Sequence, residues 1–352
     1  MNIGKVSGNV LKRSVLRQLK TERKEIVNGA GIGEDCAIFS FSGNLTAPNS
    51  LTAVCTQEGA IAVKASMECR SPDFAVRHTM AQLIQKCANN LAAAGAKPVA
   101  VTIALLLPES MEEPDLKALM AEADEKCSEL SMAVAGGQSR VMSELSAPVA
   151  VITGLGAVSA GGDPAGHTVR AAAPGQDVVL SKWIGLEGTA YLAKCCRDRL
   201  LSRYPAYLVD EAADFDRFLS VLPEAATAVE SGVCAMHDAS EGGIFAALWE
   251  LAEGAGVGLT IDLKKLPLRQ ETVEICEHCG VNPYEMLSGG CLVMTAEDGP
   301  GLTANLNAHG IPAVVVGKVT DSNDRILVNE DEVRYMDRPK IDELYRFFSD
   351  NT

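Results

Sequence analysis

The chain has 352 residues, 31 Lys plus Arg against 46 Asp plus Glu, and a formal net charge of −15. Charged residues make up 22% and hydrophobic residues 47%, which excludes wholesale disorder and supports a core in each of about two domains. The acidity argues against a nucleic-acid partner, which would need a basic face. No uncharged apolar run reaches about 18 residues, so no membrane span is expected. Eleven cysteines, an odd number, sit largely in apolar runs; together with a charged N-terminus that lacks a signal-peptide pattern, they lead us to expect a reduced, cytoplasmic protein.

Residues 1–25 carry seven Lys or Arg. Leu11, Val15 and Leu19 fall on one helical face, so the segment reads either as a docked surface helix or as a lid that brings Lys5 toward an anion. The stretch GAGIGEDCAIFSF follows, with Gly29, Gly31 and Gly33 leading into Glu34 and Asp35 and then an apolar strand. Strands are predicted at 51–57, 99–107 and 148–158. Amphipathic helices are predicted at 73–94 and 114–130, the first ended by Gly95 and the second opened by Pro114. A Gly-, Ala- and Pro-dense stretch at 159–177 marks a boundary. Beyond it, helices are predicted near 187–203, 206–220 and 222–231. Strands are predicted at 258–263, 291–296 and 313–319, and a last helix within RPKIDELYRFF. The pattern is α+β. The expected division is 1–160, an N-terminal nucleotide-binding and dimerisation domain, 170–337, a C-terminal α/β domain, and 338–352, a tail helix.

Four stretches in order carry a resemblance: GIGEDCAIF (31–39), ANNLAAAGAKP (88–98), PGQDVVLSKWIGLEGTAYLA (174–193) and MHDASEGGIFAALWELAEGAGVGLTID (236–262). Together they resemble the aminoimidazole-ribonucleotide-synthase-related superfamily, nearest to its members of the hydrogenase maturation factor HypE type and the thiamine-monophosphate kinase type. The resemblance implies an N-terminal sheet that pairs across a homodimer into a shared β-barrel, with a C-terminal α/β layer beside it. It also implies ATP or a related nucleotide held through Mg²⁺ on aspartates, and phosphoryl transfer to an oxygen of a small molecule.

Mg²⁺ prefers oxygen ligands and is commonly held by carboxylates plus substrate phosphates. Glu34 and Asp35 keep acidic groups at the matched positions, whereas Gln57 and Asn90 stand where the resembled relatives carry Asp, and Gln138, following Gly136 and Gly137, where several carry Asp and others His. A carboxamide is a weaker Mg²⁺ ligand, but its NH₂ can donate to phosphate. The expectation is nucleotide binding with little metal dependence, slow or absent turnover, and a degenerate metal site. The last cysteine is Cys291, so a carbamoyl-carrying thiol at the tail is not expected. His237 and Asp238 read either as acceptor-facing residues on a loop at a helix N-terminus or as a turn residue and a cap. LSGGC (287–291) reads as a loop lining the same cleft or as a tight turn. CEHCG (276–280) offers zinc too few partners and reads as a helix end. A non-catalytic nucleotide-binding or scaffold homodimer and a thiamine-monophosphate kinase stay open as alternatives.

Overall fold

The computed structural model describes residues 8–18, 26–28, 31–40, 52–61, 78–158 and 167–350. The N-terminal half holds a short helix, α1 (Gly8–Val10), continued by tighter and wider turns to Gln18. Then come β1 (Ile26–Asn28), β2 (Ala37–Ser40), β3 (Thr52–Ile61), α2 (Met80–Ala93), β4 (Lys97–Pro108), α3 (Glu113–Glu129), β5 (Ala133–Met142) and β6 (Val149–Ala157). Among the described residues these strands form one sheet in the order β1-β2-β3-β6-β4-β5, with only β4 and β5 parallel. Alternation along β4 and β6 sends Val101, Ile103, Leu105, Ala150 and Ile152 into a core under α2 and α3. Helix α2 starts where Thr79 and Gln82 cap each other reciprocally, and it ends before Gly95, which takes φ +72°.

The expected barrel shared across a dimer is not what forms. Among the described residues β1 and β5 are separate edges of an open sheet, with no ladder between them. The sheet buries its core face within the chain, under α2 and α3. Its other face carries half-exposed Leu155 and exposed Val99.

The C-terminal half contains β7 (Asp177–Ser181), α4 (Leu186–Cys195), α5 (Arg197–Leu201), α6 (Ala206–Ala213), α7 (Leu222–Glu230), β8 (Ala235–Ala239), α8 (Gly243–Ala255), β9 (Gly258–Asp262), α9 (Gln270–Cys279), β10 (Cys291–Ala296), α10 (Gly299–Ala308), β11 (Ala313–Thr320), β12 (Arg325–Asn329), β13 (Glu332–Tyr335) and α11 (Glu343–Asp350). Its strands order as β13-β12-β9-β11-β7-β10-β8, antiparallel except for β12 beside β9. α8 covers one face through Ile244, Leu248 and Leu251. The other face meets α7, α10 and the end of α2, where Ala92 and Ala93 pack with Val179, Met236 and Leu292. α2 therefore belongs to both halves, and the result is an α+β two-domain architecture.

Several boundaries differ from the sequence expectation. The helix expected over 187–203 breaks into α4 and α5 at Cys196, and the one over 206–220 ends in a 3₁₀ turn at Asp214–Phe218. Residues 235–239 form a strand rather than a loop. Gln138 lies in β5, a strand not among those predicted. CEHCG closes α9, with Gly280 in the left-handed region at its end. Among the described residues all cysteines are free, and no helix is long and apolar enough to cross a membrane.

Candidate functional site

Gly33 sets the geometry. It takes φ +75°, and a Cβ there would lie 2.5 Å from the Glu250 carbonyl oxygen. Only glycine lets the loop lie directly on α8. Gly31, in the same loop, passes beside the Arg170 guanidinium. Resting on α8, the loop delivers Asp35 to His237 in the middle of β8.

There His237 lies between two carboxylates. Its Nδ1 is 2.8 Å from Asp35 Oδ2 and its Nε2 is 3.3 Å from Glu250 Oε2. The His237 side chain is only 3% exposed. Burial alone would lower its pKa, but the Asp35 charge and the hydrogen bonds from Asp35 and Glu250 outweigh that and raise it to about 10. At neutral pH the clamp is carboxylate–imidazolium–carboxylate. It ties the acidic loop of the N-terminal half to β8 and α8 of the C-terminal half.

Asp238 points to the other face of β8. Its backbone N–H donates to Asp35 Oδ2 at 3.4 Å. Its carboxyl is buried, and its Oδ1 has no hydrogen-bond partner among the described residues. Burial first, and then the nearby Asp35 charge, push its pKa well above the usual carboxylate value. Lys86 of α2 and Glu187 of α4 are among the charges acting on it. Lys86 Nζ stands 3.3 Å from Glu187 Oε1, and His78 Nδ1 lies 3.5 Å from the same oxygen. Burial, helped by Lys86, holds His78 well below its ordinary pKa, in the neutral form. The LSGGC loop closes over this group: a Cβ on Gly289 would sit 2.4 Å from Glu187 Oε2. Ser288 accepts from the Gly185 N–H at 2.9 Å and its own N–H donates to Ser240 O at 3.1 Å.

The matched carboxamides part company. Asn90 joins the site, because its Nδ2 donates to Thr56 Oγ1 at 3.2 Å and Thr56 in turn donates to Asp35 O at 2.8 Å. Gln57 does not, since adjacent strand residues face opposite ways. Thr56 is buried, whereas Gln57 is exposed and donates to Thr153 Oγ1 at 3.2 Å. Gly136, Gly137 and Gln138 lie on the exposed edge strand β5. Following the register from Gln57 to Thr153, Thr102 and Gly136 crosses three strand spacings, about 14 Å. Gly137 packs against the Ile103 carbonyl of β4, where a Cβ would clash at 1.9 Å. Lys5 lies outside the described residues.

Glu34 and Asp35 each already face a cation of the chain itself. Glu34 accepts from Asn28 Nδ2 at 2.6 Å and pairs with Arg170 Nε at 2.6 Å, with its side chain only 3% exposed. Asp35 is matched by the His237 imidazolium. A hard cation would compete with Arg170 for Glu34 and with His237 for Asp35 Oδ2. Among the described residues no three His, Cys, Asp or Glu side chains converge as a metal-holding group.

The two halves match, in order, the two models of one family. Residues 33–158 match the AIR synthase related protein N-terminal domain, and residues 173–329 match the C-terminal domain. The chain belongs to the AIR synthase related family. It is 29% identical over 236 residues to carbamoyl dehydratase HypE of Rhodobacter capsulatus, covering 65% of this chain and 66% of that protein. It is 30% identical over 239 residues to carbamoyl dehydratase HypE of Cupriavidus necator, covering 66% and 65%. These alignments span about two thirds of each relative's length. The crystal structure of hydrogenase maturation protein HypE in complex with ATP superposes with a TM-score of 0.66 at 16% identity, covering 97% of both chains, a likeness of fold.

Sequence reasoning missed Glu250, Arg170, Asn89 and the Lys86–Glu187–His78 group. Glu250 in ALWEL and Lys86 in LIQKC are charges inside apolar runs, and that was the available signal. Asn89 is 1% exposed. It donates to Leu219 O at 2.8 Å and accepts from the Val221 N–H at 3.1 Å, so α2 grips a turn of the C-terminal half. Lys182 holds the same turn from the other side through Phe218 O and Ser220 O.

Proposed function

We propose that the chain is a HypE-like nucleotide-binding protein that takes ATP or a related nucleotide, with its phosphates near the Gly31–Asp35 loop and Asn90. Its lineage is ATP-dependent phosphoryl transfer to an oxygen of a small molecule, and turnover in this chain is slow or absent. The observation that carries the reading is the clamp on Asp35. A buried imidazolium and Arg170 supply, from within the chain, the positive charge that offsets Glu34 and Asp35. Anion binding beside this loop then needs no added dication. Membership of a family in which one solved relative holds ATP supports the choice of nucleotide.

In this reading the chain's residues bind and orient. Asn90 fixes the acidic loop through Thr56, and His237 holds the two halves in register. Asp238 lies buried beside them, with its Oδ1 free of any hydrogen-bond partner among the described residues. The chain works in the cytoplasm as a homodimer, and the half-exposed apolar face carrying Leu155 and Val99 supports that association.

Thermal unfolding with millimolar ATP, ADP or GTP tests the binding claim. We expect ATP to raise Tm by several degrees in magnesium-free buffer, and Asp35→Asn to shrink that gain. No shift with any nucleotide would overturn the reading. Sedimentation equilibrium tests the dimer: a monomer at tens of micromolar would exclude it.

A further inference from the structure

Beside the Asp35 clamp, between α8 and the N-terminal helical segment, runs a cleft of about 470 Å³ lined at one end by residues 338–341. That volume suits a small molecule. α8 turns Ala246, Trp249, Glu250 and Glu253 toward it, spaced i, i+3, i+4 and i+7 on one helical face. The small Ala246 side chain leaves the room, and Trp249 provides an aromatic floor.

The charges around the cleft do not balance. Two of its three glutamates are already answered by cations. Glu253 meets Lys12 and meets Arg325 at 2.8 Å, with Arg325 lying 4.1 Å from the Trp249 ring centre. Glu250 holds His237, and Glu241 has a partner of its own. The cations at the other end are not all answered. Arg338 has no ion-pair or hydrogen-bond partner among the described residues. Lys340 pairs only with Asp337, whose side chain is 74% exposed, and a pair so open to water is worth little. In a chain of net charge −15, an open guanidinium and an exposed ammonium at the mouth of an apolar-floored cleft form a local site for negative charge.

We propose that this cleft binds a small anionic molecule whose phosphate or carboxylate group lies on Arg338 and Lys340 and whose body lies over Ala246 and Trp249. Resting on the function proposed above, this molecule is the second substrate, or its descendant ligand. Glu250 borders the cleft and touches His237, and His237 touches Asp35. Occupancy is therefore two hydrogen bonds from the acidic loop.

Trp249 is one of two tryptophans and reports on the cleft. The full chain is titrated at constant ionic strength with sodium phosphate or sodium succinate, without nucleotide, and tryptophan emission is followed. We expect a saturable change with at least one anion, and the anion that gives it identifies the head group. The paired substitution Arg338→Ala with Lys340→Ala is expected to raise the half-saturation concentration at least tenfold. Lys264→Ala, which removes a surface cation paired with Glu330, should leave it unchanged. Calorimetry on the wild type and on Arg338→Ala repeats the test without relying on the fluorophore. The inference fails if neither anion gives a saturable response, or if the Arg338 and Lys340 variant matches the wild type. Because no nucleotide is present, a protein that fails here yet is stabilised by ATP loses only this inference. One that responds here without binding ATP loses only the function proposed above.

Discussion

Replacing His237 by Gln removes the imidazolium from between Asp35 and Glu250 while keeping a polar side chain of similar reach. The size of the loss follows from the shift. Moving a histidine from 6.5 to about 10 corresponds to about 5 kcal/mol of preference for the charged form, at roughly 1.4 kcal/mol per pKa unit. Two carboxylates share that interaction, so the expected loss on His237→Gln at pH 7 is about 3–5 kcal/mol, the range for breaking a buried pair. The sign of the pH dependence is fixed. A folded-state pKa above the unfolded one adds stability that is complete below about 6.5 and fades as pH climbs to about 10. Urea denaturation followed by circular dichroism at pH 7 and pH 10 measures both effects. The gap between wild type and His237→Gln should be several kcal/mol at pH 7 and much smaller at pH 10. Asp35→Asn combined with His237→Gln should cost clearly less than the sum of the single changes. A gap under about 1 kcal/mol, a gap independent of pH, or strict additivity would refute the clamp.

Other perturbations follow from single contacts. Asn89→Ala leaves Leu219 O and the Val221 N–H without their partner in a buried joint and should cost about 2–3 kcal/mol, read as a lower urea midpoint. Gly33→Ala forces an L side chain into φ +75° against the Glu250 carbonyl. It should lower stability by about 2–4 kcal/mol and weaken any nucleotide-induced Tm gain. Asp342 accepts from the Gly242 N–H at 2.7 Å and the Leu344 N–H at 2.9 Å, capping α8 and α11 together, and burial raises its pKa to about 7. Asp342→Ala should loosen α11, seen as faster hydrogen exchange across 343–350 with little change in β8.

The regular parts of both halves were legible because their signals are local. The α2 stripe of Met80, Leu83, Cys87 and Leu91 buries as its spacing requires, and strands rich in β-branched residues such as β4, β6 and β11 emerge within two residues of expectation. β8 was hidden because every one of its residues is buried. A strand covered on both faces loses the alternation that marks strands, and here His237 is paired with Asp35, far away in sequence. β5 was hidden because AGGQSR has few β-branched residues and lies on an exposed edge. β13, with Glu332 and Arg334 alternating with Val333 and Tyr335, is fully exposed and gains its identity from pairing with β12. At the site, the sequence pointed to Asp35, His237 and Asn90 but could not bring them together, since 202 positions separate Asp35 from His237. One step along the helix from Asn90, at Asn89, lies the buried side chain that joins the halves.

The central claim is that cations within the chain do the work expected of a bound dication at Glu34 and Asp35. Isothermal titration of ATP into the protein, once with magnesium and once with excess chelator, measures this directly. We predict heats of binding in both and affinities within about threefold of each other. Binding that vanishes under chelation and returns with magnesium would contradict it.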